Sequence, residues 1–222
     1  MDKAIIYIHG KGGSSKDATH YITIFKDCDV IGFDYMSKNP WEANKEFPEF
    51  FDKIYHKYKS VEIIASSIGA FFAMNSLADK RIAKAYFISP IVDMEKLISD
   101  MMMWGNITEK DLCNQKEIKT DFGETLSWEY LCYVKENPIK WKIPTQALYR
   151  RENRELIETI DRYTDGVVFT MQMQEIMETI SAAKAPKKDG KGNRYIDLMN
   201  GNVPIRDAVQ TESRRIFKKV FC

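Results

Sequence analysis

A serine between small residues follows a short apolar run, and this pattern favours nucleophilic chemistry. Residues 61–65 predict a buried strand, and Ser67 stands at the bend before a helix begins. A nucleophile elbow strains its central serine, so the residues two before and two after it must be small. Ala65 and Gly69 meet that requirement, which makes Ser67 the candidate nucleophile. The same small residues would also suit an ordinary strand-to-helix crossing in a doubly wound sheet.

A glycine-rich loop after the first apolar run provides a second signal. His9 is followed by Gly-Lys-Gly-Gly-Ser-Ser, and glycines allow backbone N–H groups to converge on a negative charge. A P-loop would need a Gly-Lys-Ser/Thr ending at a spacing that this loop lacks. A dinucleotide fingerprint would need glycine where Ser15 stands, although Asp34 lies where a ribose-binding acid would be. The third interpretation is an oxyanion loop, in which the amide after His9 and Gly10 faces a developing negative charge.

Both signals lie in a region that alternates short apolar runs with longer amphipathic stretches, as parallel sheets do. Compact apolar runs predict four strands buried on both faces, at residues 3–9, 30–35, 61–65 and 85–89. Aromatic and aliphatic residues at spacings of three and four predict a helix over residues 41–59, with His56 on its polar side. The glycine loop and Ser67 therefore follow neighbouring strands.

Residues 90–142 break this alternation and predict an insertion. Helix-like segments appear without a clear strand between them, around residues 94–104, 108–114 and 127–137. The insertion holds Trp104, Trp128 and Trp141, which would either pack the helices together or line a ligand pocket. The pattern then predicts a strand, a helix and a last strand, at residues 144–149, 154–163 and 167–173.

The last part of the chain has a different composition. Residues 184–222 carry ten Lys or Arg against four Asp or Glu, and a polar stretch at 186–194 indicates a linker or exposed loop. Apolar residues between positions 205 and 221 predict one terminal amphipathic helix with a basic face. Such a helix would dock on the domain, or else bind a partner or a membrane surface.

The first 150 residues resemble the α/β-hydrolase superfamily, in particular its small single-domain bacterial members with a helical insertion. The motifs that carry the resemblance are His9-Gly10-x-Gly12, Ala65-x-Ser67-x-Gly69, Ser89-Pro90-Ile91-Val92-Asp93 and Ile143-Pro144-Thr145. The resemblance implies that Ser67 is the nucleophile and that the amides of Lys11 and Ile68 form the oxyanion hole. It also implies an α/β fold, with a mostly parallel sheet flanked by helices.

An α/β-hydrolase domain is expected to span residues 1–183, with a helical cap insertion at about 91–142. A basic tail is expected to follow it at 184–222. The resemblance further implies that an acid and then a histidine follow the nucleophile. Glu152 is the nearest acid after the strand at 144–149, and Asp93 is a second candidate.

The general base is the part of the pattern that the sequence does not supply. All three histidines precede Ser67: His9 is predicted to support the oxyanion loop, His56 to be solvated, and His20 to be the candidate recruited base. Two explanations account both for the absence of a histidine after Ser67 and for the different composition of the last part of the chain. Either the chain diverged into a protein that binds but barely hydrolyses, or a changed reading frame replaced its end from about residue 150.

Composition limits the remaining possibilities. A net charge of +1 gives no global attraction to nucleic acid or anionic membranes. Four scattered cysteines without a C-x-x-C pair suggest neither a zinc site nor a disulfide framework, and the first apolar run is too short for a signal peptide or a membrane span. The sequence therefore predicts a cytoplasmic serine hydrolase for a small ester or related acyl substrate, without metal or organic cofactor. The alternatives are a non-catalytic ligand- or partner-binding module on the same fold and a nucleotide-binding Rossmann-like domain.

Overall fold

The computed structural model describes residues 2–149 and 169–172, and a six-stranded parallel sheet forms their centre. Its strands are β1 (Lys3–Ile8), β2 (Asp29–Phe33), β3 (Ser60–Ser66), β4 (Lys84–Ile88), β7 (Thr145–Tyr149) and β8 (Phe169–Gln172). They lie in the order β2-β1-β3-β4-β7-β8, and each neighbouring pair is parallel. The predicted α/β fold with a mostly parallel sheet is confirmed, as are the six predicted strands.

Helices cover one face of the sheet and a shorter helical turn covers the other. α1 (Pro40–Tyr55) and α2 (Ile68–Ser76) pack against each other on the first face, while a 3₁₀ helix (Ser15–His20) lies on the second. The alternation of β1 creates this division, because Ala4, Ile6 and Ile8 point to one core and Ile5 and Tyr7 to the other. Strands buried on both faces explain why the sequence shows continuous apolar runs.

The predicted helix at 41–59 is confirmed as α1, which ends a few residues earlier than expected. Asn39 begins it by accepting a hydrogen bond from the Glu42 backbone N–H, with Pro40 as the first helical residue. After Tyr55, the N–H groups of Lys57 and Tyr58 both donate to the Ile54 carbonyl, and this turn ends the helix.

The insertion between β4 and β7 forms a cap on the α2 side of the sheet. It consists of α3 (Met94–Trp104), α4 (Glu109–Gln115), β5 (Glu117–Lys119), β6 (Thr125–Ser127) and α5 (Trp128–Glu136). The three predicted helices are confirmed, whereas the expectation that no strand separates them is wrong. β5 and β6 pair antiparallel around a turn at residues 120–124, and each contributes one apolar side chain to the cap, from Ile118 and Leu126. The cap core is continuous with that of α1 and α2.

Three expectations lie outside the described residues: the helix at 154–163, the acid Glu152, and the basic tail with its terminal helix. The domain limits at 1–183 and 184–222 therefore remain predictions. No helix among the described residues has the length and apolar character needed to cross a membrane.

Candidate active site

Ser67 occupies the sharp bend between β3 and α2. Its backbone has φ 50° and ψ −121°, a left-handed conformation that a residue with a side chain adopts only under strain. Two backbone hydrogen bonds hold it there: the Ser67 N–H donates to the Ile88 carbonyl at 3.0 Å, and the Ile91 N–H donates to the Ser67 carbonyl at 3.3 Å. The side chain is half-buried and lies beside the first turn of α2. This is the local geometry that the sequence predicted.

The small residues around Ser67 are required by the close approach of β1. A Cβ atom added to Gly69 would lie 2.2 Å from the carbonyl oxygen of His9, so the helix can pass there only with glycine. On the other side, a Cβ atom on Gly10 would lie 3.1 Å from the Cβ atom of Ser67. The end of β1 is therefore packed directly against the bend, and the glycine loop begins in contact with Ser67.

The glycine loop makes a tight turn and continues into the 3₁₀ helix. The Gly13 N–H donates to the Gly10 carbonyl at 3.0 Å, with Gly12 at φ 69° inside the turn. Lys11 is the exposed first corner of this turn. A dinucleotide site would require the loop to open an α-helix, whereas the short 3₁₀ helix follows here, and Asp34 accepts a hydrogen bond from the Ser15 hydroxyl at 3.2 Å. The geometry does not support the nucleotide-binding interpretation.

A buried tyrosine fixes the start of the loop. Tyr35 donates a hydrogen bond from its hydroxyl to the His9 carbonyl at 2.8 Å, and its ring stacks on the His9 imidazole with 4.2 Å between centroids. Burial raises the pKa of Tyr35 above its usual value, so the hydroxyl remains a donor at neutral pH. The imidazole Nδ1 lies 3.0 Å from the Gly10 carbonyl. These contacts hold His9 at the start of the glycine loop.

An ion pair joins the glycine loop to the cap. The Lys11 Nζ atom lies 2.5 and 2.6 Å from the two carboxylate oxygens of Glu124, in the turn between β5 and β6. Both side chains are substantially exposed. Sequence analysis did not identify Glu124, because 113 positions separate it from Lys11 and no local pattern connects them.

A second strained serine lies next to the bend. Ser89 follows β4 directly, is exposed, and has φ 45°. Because Ser66 and Ile88 are partners in the β3–β4 register, Ser67 and Ser89 follow the paired ends of adjacent strands. Two non-glycine residues in the left-handed region at one sheet edge are unusual, since each costs roughly 1–3 kcal/mol and such strain clusters at functional sites.

The candidate acids and bases lie in separate parts of the fold. Asp93 caps α3, since its carboxylate accepts the Lys96 backbone N–H at 2.8 Å, which gives it a structural role. His20 ends the 3₁₀ helix, half-buried on the sheet face opposite α2. His56 is exposed at the carboxyl end of α1, near the start of β3 and therefore at the far edge of the sheet from Ser67. Glu152 lies outside the described residues.

Metal ligands are not clustered in the part of the chain that the structure describes, where no three His, Cys, Asp or Glu side chains form a possible metal site. The site instead presents a serine, backbone amides and the positive end of the α2 dipole. Such a set can stabilise an oxyanion formed on a carbonyl substrate.

No family model and no curated protein sequence matches the chain. Among solved structures, it is similar to alpha/beta hydrolase domain-containing protein 10 from mouse, with a TM-score of 0.60 and 12% identity over 82% of this chain and 90% of that one. Est1E from Butyrivibrio proteoclasticus gives a TM-score of 0.57 and 12% identity, over 82% and 86%.

This chain has the α/β-hydrolase fold. A third structure with this fold, described under "LipS and LipT, two metagenome-derived lipolytic enzymes", has a TM-score of 0.51 and 12% identity over 82% of this chain and 92% of that one. At an identity this low, the similarity shows that the arrangement of strands and helices is shared, and it shows nothing about activity. In the α/β-hydrolase fold of this chain, the bend at Ser67, the glycine loop and the cap meet at the carboxyl edge of the sheet.

Proposed function

We propose that this protein is a serine hydrolase that acts on a small ester or related acyl compound. One observation carries the proposal: Ser67 has a strained backbone at the start of α2, with Gly10 packed against its Cβ atom. Strain of about 1–3 kcal/mol persists only where the surrounding structure imposes it, and the presentation of a nucleophile is a reason for it to be retained. A similar structure that is described as a lipolytic enzyme has the same fold.

In this mechanism, the Ser67 Oγ atom attacks the substrate carbonyl carbon and forms a tetrahedral intermediate. Its oxyanion would accept hydrogen bonds from the backbone N–H groups of Lys11 and Ile68. Ile68 is the first residue of α2, so its N–H has no acceptor within the helix, and the helix dipole adds to the positive potential there. Collapse of the intermediate expels the alcohol, and water then releases the acyl group from Ser67.

The proton on Ser67 requires a base for rapid attack. His20 is the proposed recruited base, with Glu152 as the proposed acid, because no histidine follows Ser67 in the sequence. Loss of one member of such a group costs about 10⁴- to 10⁶-fold in turnover. An oxyanion hole with substrate binding alone would retain roughly 10³-fold over water. The expected activity therefore lies far below that of a complete triad unless His20 reaches Ser67.

Labelling with a fluorophosphonate tests this directly, because the probe reacts with an activated serine and needs no knowledge of the substrate. We expect labelling of the wild type, none of Ser67→Ala, and slower labelling of His20→Ala. Ser99→Ala is the matched control, since this exposed serine of α3 donates its hydroxyl hydrogen bond to the Glu95 carbonyl within the same helix, and it should label like the wild type. Labelling that survives Ser67→Ala would refute the proposal.

A non-catalytic binding protein is the second candidate, and the position of all three histidines before Ser67 favours it. A well-folded protein that is not labelled at all would support this alternative. The proposed hydrolase would act on a small molecule, whereas the non-catalytic alternative would bind a ligand or a partner; the near-zero net charge argues against nucleic acid. Cys28, Cys113 and Cys132 are free thiols, which supports the proposed cytoplasmic location.

A further inference from the structure

The ion pair between the glycine loop and the cap involves a residue of the proposed oxyanion hole. The Lys11 Nζ atom lies 2.5 and 2.6 Å from the two carboxylate oxygens of Glu124, so one ammonium group contacts both oxygens. Lys11 also carries a backbone N–H that is proposed to bind the oxyanion, and its neighbour Gly10 packs against the Cβ atom of Ser67. The side chain of Lys11 therefore connects a proposed catalytic donor to a distant element of the fold.

The turn that contains Lys11 has little to fix its corner from within. The Gly13 N–H closes the turn on the Gly10 carbonyl at 3.0 Å, and Gly12 follows Lys11 with φ 69°. Lys11 thus stands between two glycines, which allow several backbone conformations at similar energy. A contact made by the Lys11 side chain can therefore decide which of these conformations the corner adopts.

The other partner of the ion pair is held firmly. The Glu124 N–H donates to the Thr120 hydroxyl at 3.1 Å, and the Glu124 carbonyl accepts both the Thr120 N–H and the Thr120 hydroxyl at 2.8 Å. The β5–β6 hairpin is anchored in the core of the cap by Leu126, which is 2% exposed. Glu124 is therefore a fixed point to which the glycine loop is attached.

We propose that Glu124 is a positioning residue of the active site, and that its ion pair with Lys11 holds the Lys11 backbone N–H toward the oxyanion. This inference rests on the function proposed above. Glu124 acts through Lys11, so it contributes to the rate of the chemical step and not to the binding of the reactant. The Lys11 side chain is 69% exposed and that of Glu124 is 42% exposed. An ion pair this exposed shifts an equilibrium by up to about fivefold.

Saturation kinetics of fluorophosphonate labelling test the proposal, because they separate the maximal rate from the dissociation constant of the probe. Glu124→Gln and Lys11→Met should each lower the maximal rate about two- to fivefold and leave the dissociation constant unchanged. Lys11→Met removes the ammonium group and retains the backbone N–H. The double variant should be no slower than either single variant, since both remove the same ion pair.

Glu117→Gln is the matched control, because Glu117 is an exposed acid on the neighbouring strand β5. It should label at the wild-type rate. A Glu124→Gln protein that labels at the rate of this control, or that loses only affinity for the probe, would overturn the proposal. Losses that add in the double variant would also overturn it, because Lys11 and Glu124 would then act separately.

Salt gives a readout that a purely structural role of Glu124 would not change. The Debye length falls from about 10 Å at 0.1 M salt to about 3 Å at 1 M, so salt weakens the ion pair. The wild type and Glu117→Gln should label more slowly at high salt, whereas Glu124→Gln should not respond. The same salt dependence in Glu124→Gln as in the wild type would contradict the positioning role.

Hydrogen exchange separates this inference from the proposed function, because it needs no reaction. The Gly13 N–H closes the turn, so its exchange rate measures opening of the loop, and Glu124→Gln should raise that rate about two- to fivefold. Faster exchange in a protein that is never labelled at Ser67 would support the hold of Glu124 on the loop and refute the catalytic proposal. If labelling depends on Ser67 while exchange and rate ignore Glu124→Gln, the catalytic proposal stands and the positioning role fails.

Discussion

Gly69 is the residue on which the geometry of the bend depends most directly. A methyl group at this position would meet the His9 carbonyl oxygen at 2.2 Å, and neither the strand nor the helix can move apart without displacing Ser67. We expect Gly69→Ala to lower the free energy of unfolding by about 2 kcal/mol, as overpacking does, and to abolish fluorophosphonate labelling. Urea denaturation and labelling of the same preparation measure both effects.

Ser76→Ala is the control for this substitution, because Ser76 ends the same helix. Its hydroxyl is buried and finds no hydrogen-bond partner among the described residues. Removing an unsatisfied hydroxyl should leave stability unchanged or raise it. A Gly69→Ala protein as stable and as reactive as the wild type would show that β1 and α2 are not in contact as described.

Tyr35 supports the glycine loop through one hydrogen bond, and its removal should weaken both fold and site. Tyr35→Phe retains the stacking on His9 but leaves the His9 carbonyl without its donor, which should cost about 1–2 kcal/mol. Labelling of Ser67 should slow as the loop loosens. Tyr55→Phe is the matched control, since the Tyr55 hydroxyl is buried without a partner among the described residues, and unfolding should be unaffected. Equal stability of the two variants would argue against the supporting role.

Local motifs explain which site residues the sequence could predict. Ser67 and Gly69 belong to one short stretch, and the backbone conformation at the bend restricts their neighbours to small side chains. Tyr35 and Glu124 could not be found in this way, because their contacts depend on how distant segments pack. Asp93 was suggested as an acid by its type and position, and its contact with the Lys96 N–H at the start of α3 likewise depends on local structure.

At the scale of elements, burial on both faces made the strands easy to predict and the cap hairpin difficult. β1 and β3 are continuous apolar runs, which is how a strand covered on both sides appears in a sequence. β5 and β6 have three residues each, with a single apolar side chain apiece from Ile118 and Leu126. Alternation over three residues is too short to distinguish from a loop.

A buried tryptophan stabilises the segment that connects the cap to β7. Trp141 is fully buried, and its indole N–H donates to the Thr145 hydroxyl at 2.8 Å, which in turn donates to the Ile143 carbonyl at 2.7 Å. Thr145→Val would keep the shape but leave both groups unsatisfied, so we expect a loss of about 2 kcal/mol in unfolding free energy. Thermal denaturation would show this loss as a lower melting temperature. Thr125→Val, on the exposed side of β6, should change little, and equal melting temperatures for the two variants would exclude this role.

At the scale of the whole molecule, the larger core joins the sheet, α1, α2 and the cap into one apolar unit. Tyr35 lies within this core, and Tyr55 and Tyr130 pack against it. Burial raises the pKa of Tyr35 and Tyr130, and it raises the pKa of Tyr55 to about 12. Ionising any of these hydroxyls would put a negative charge against the apolar unit that carries both the cap and the bend.

Alkaline pH should therefore unfold the protein cooperatively. The folded state retains the three tyrosine protons above pH 10, whereas the unfolded chain releases them near the usual pKa of about 10, so stability is fully present below pH 10 and falls above it. The slope is at most about 1.4 kcal/mol per pH unit for each tyrosine. Urea midpoints between pH 8 and 11, with tyrosinate absorbance on the same samples, measure this fall in the free energy of unfolding.

Tyr35→Phe should make the fall of the unfolding free energy with pH shallower. If all tyrosines instead titrate near pH 10 while the protein stays folded, the larger core is not closed around these hydroxyls.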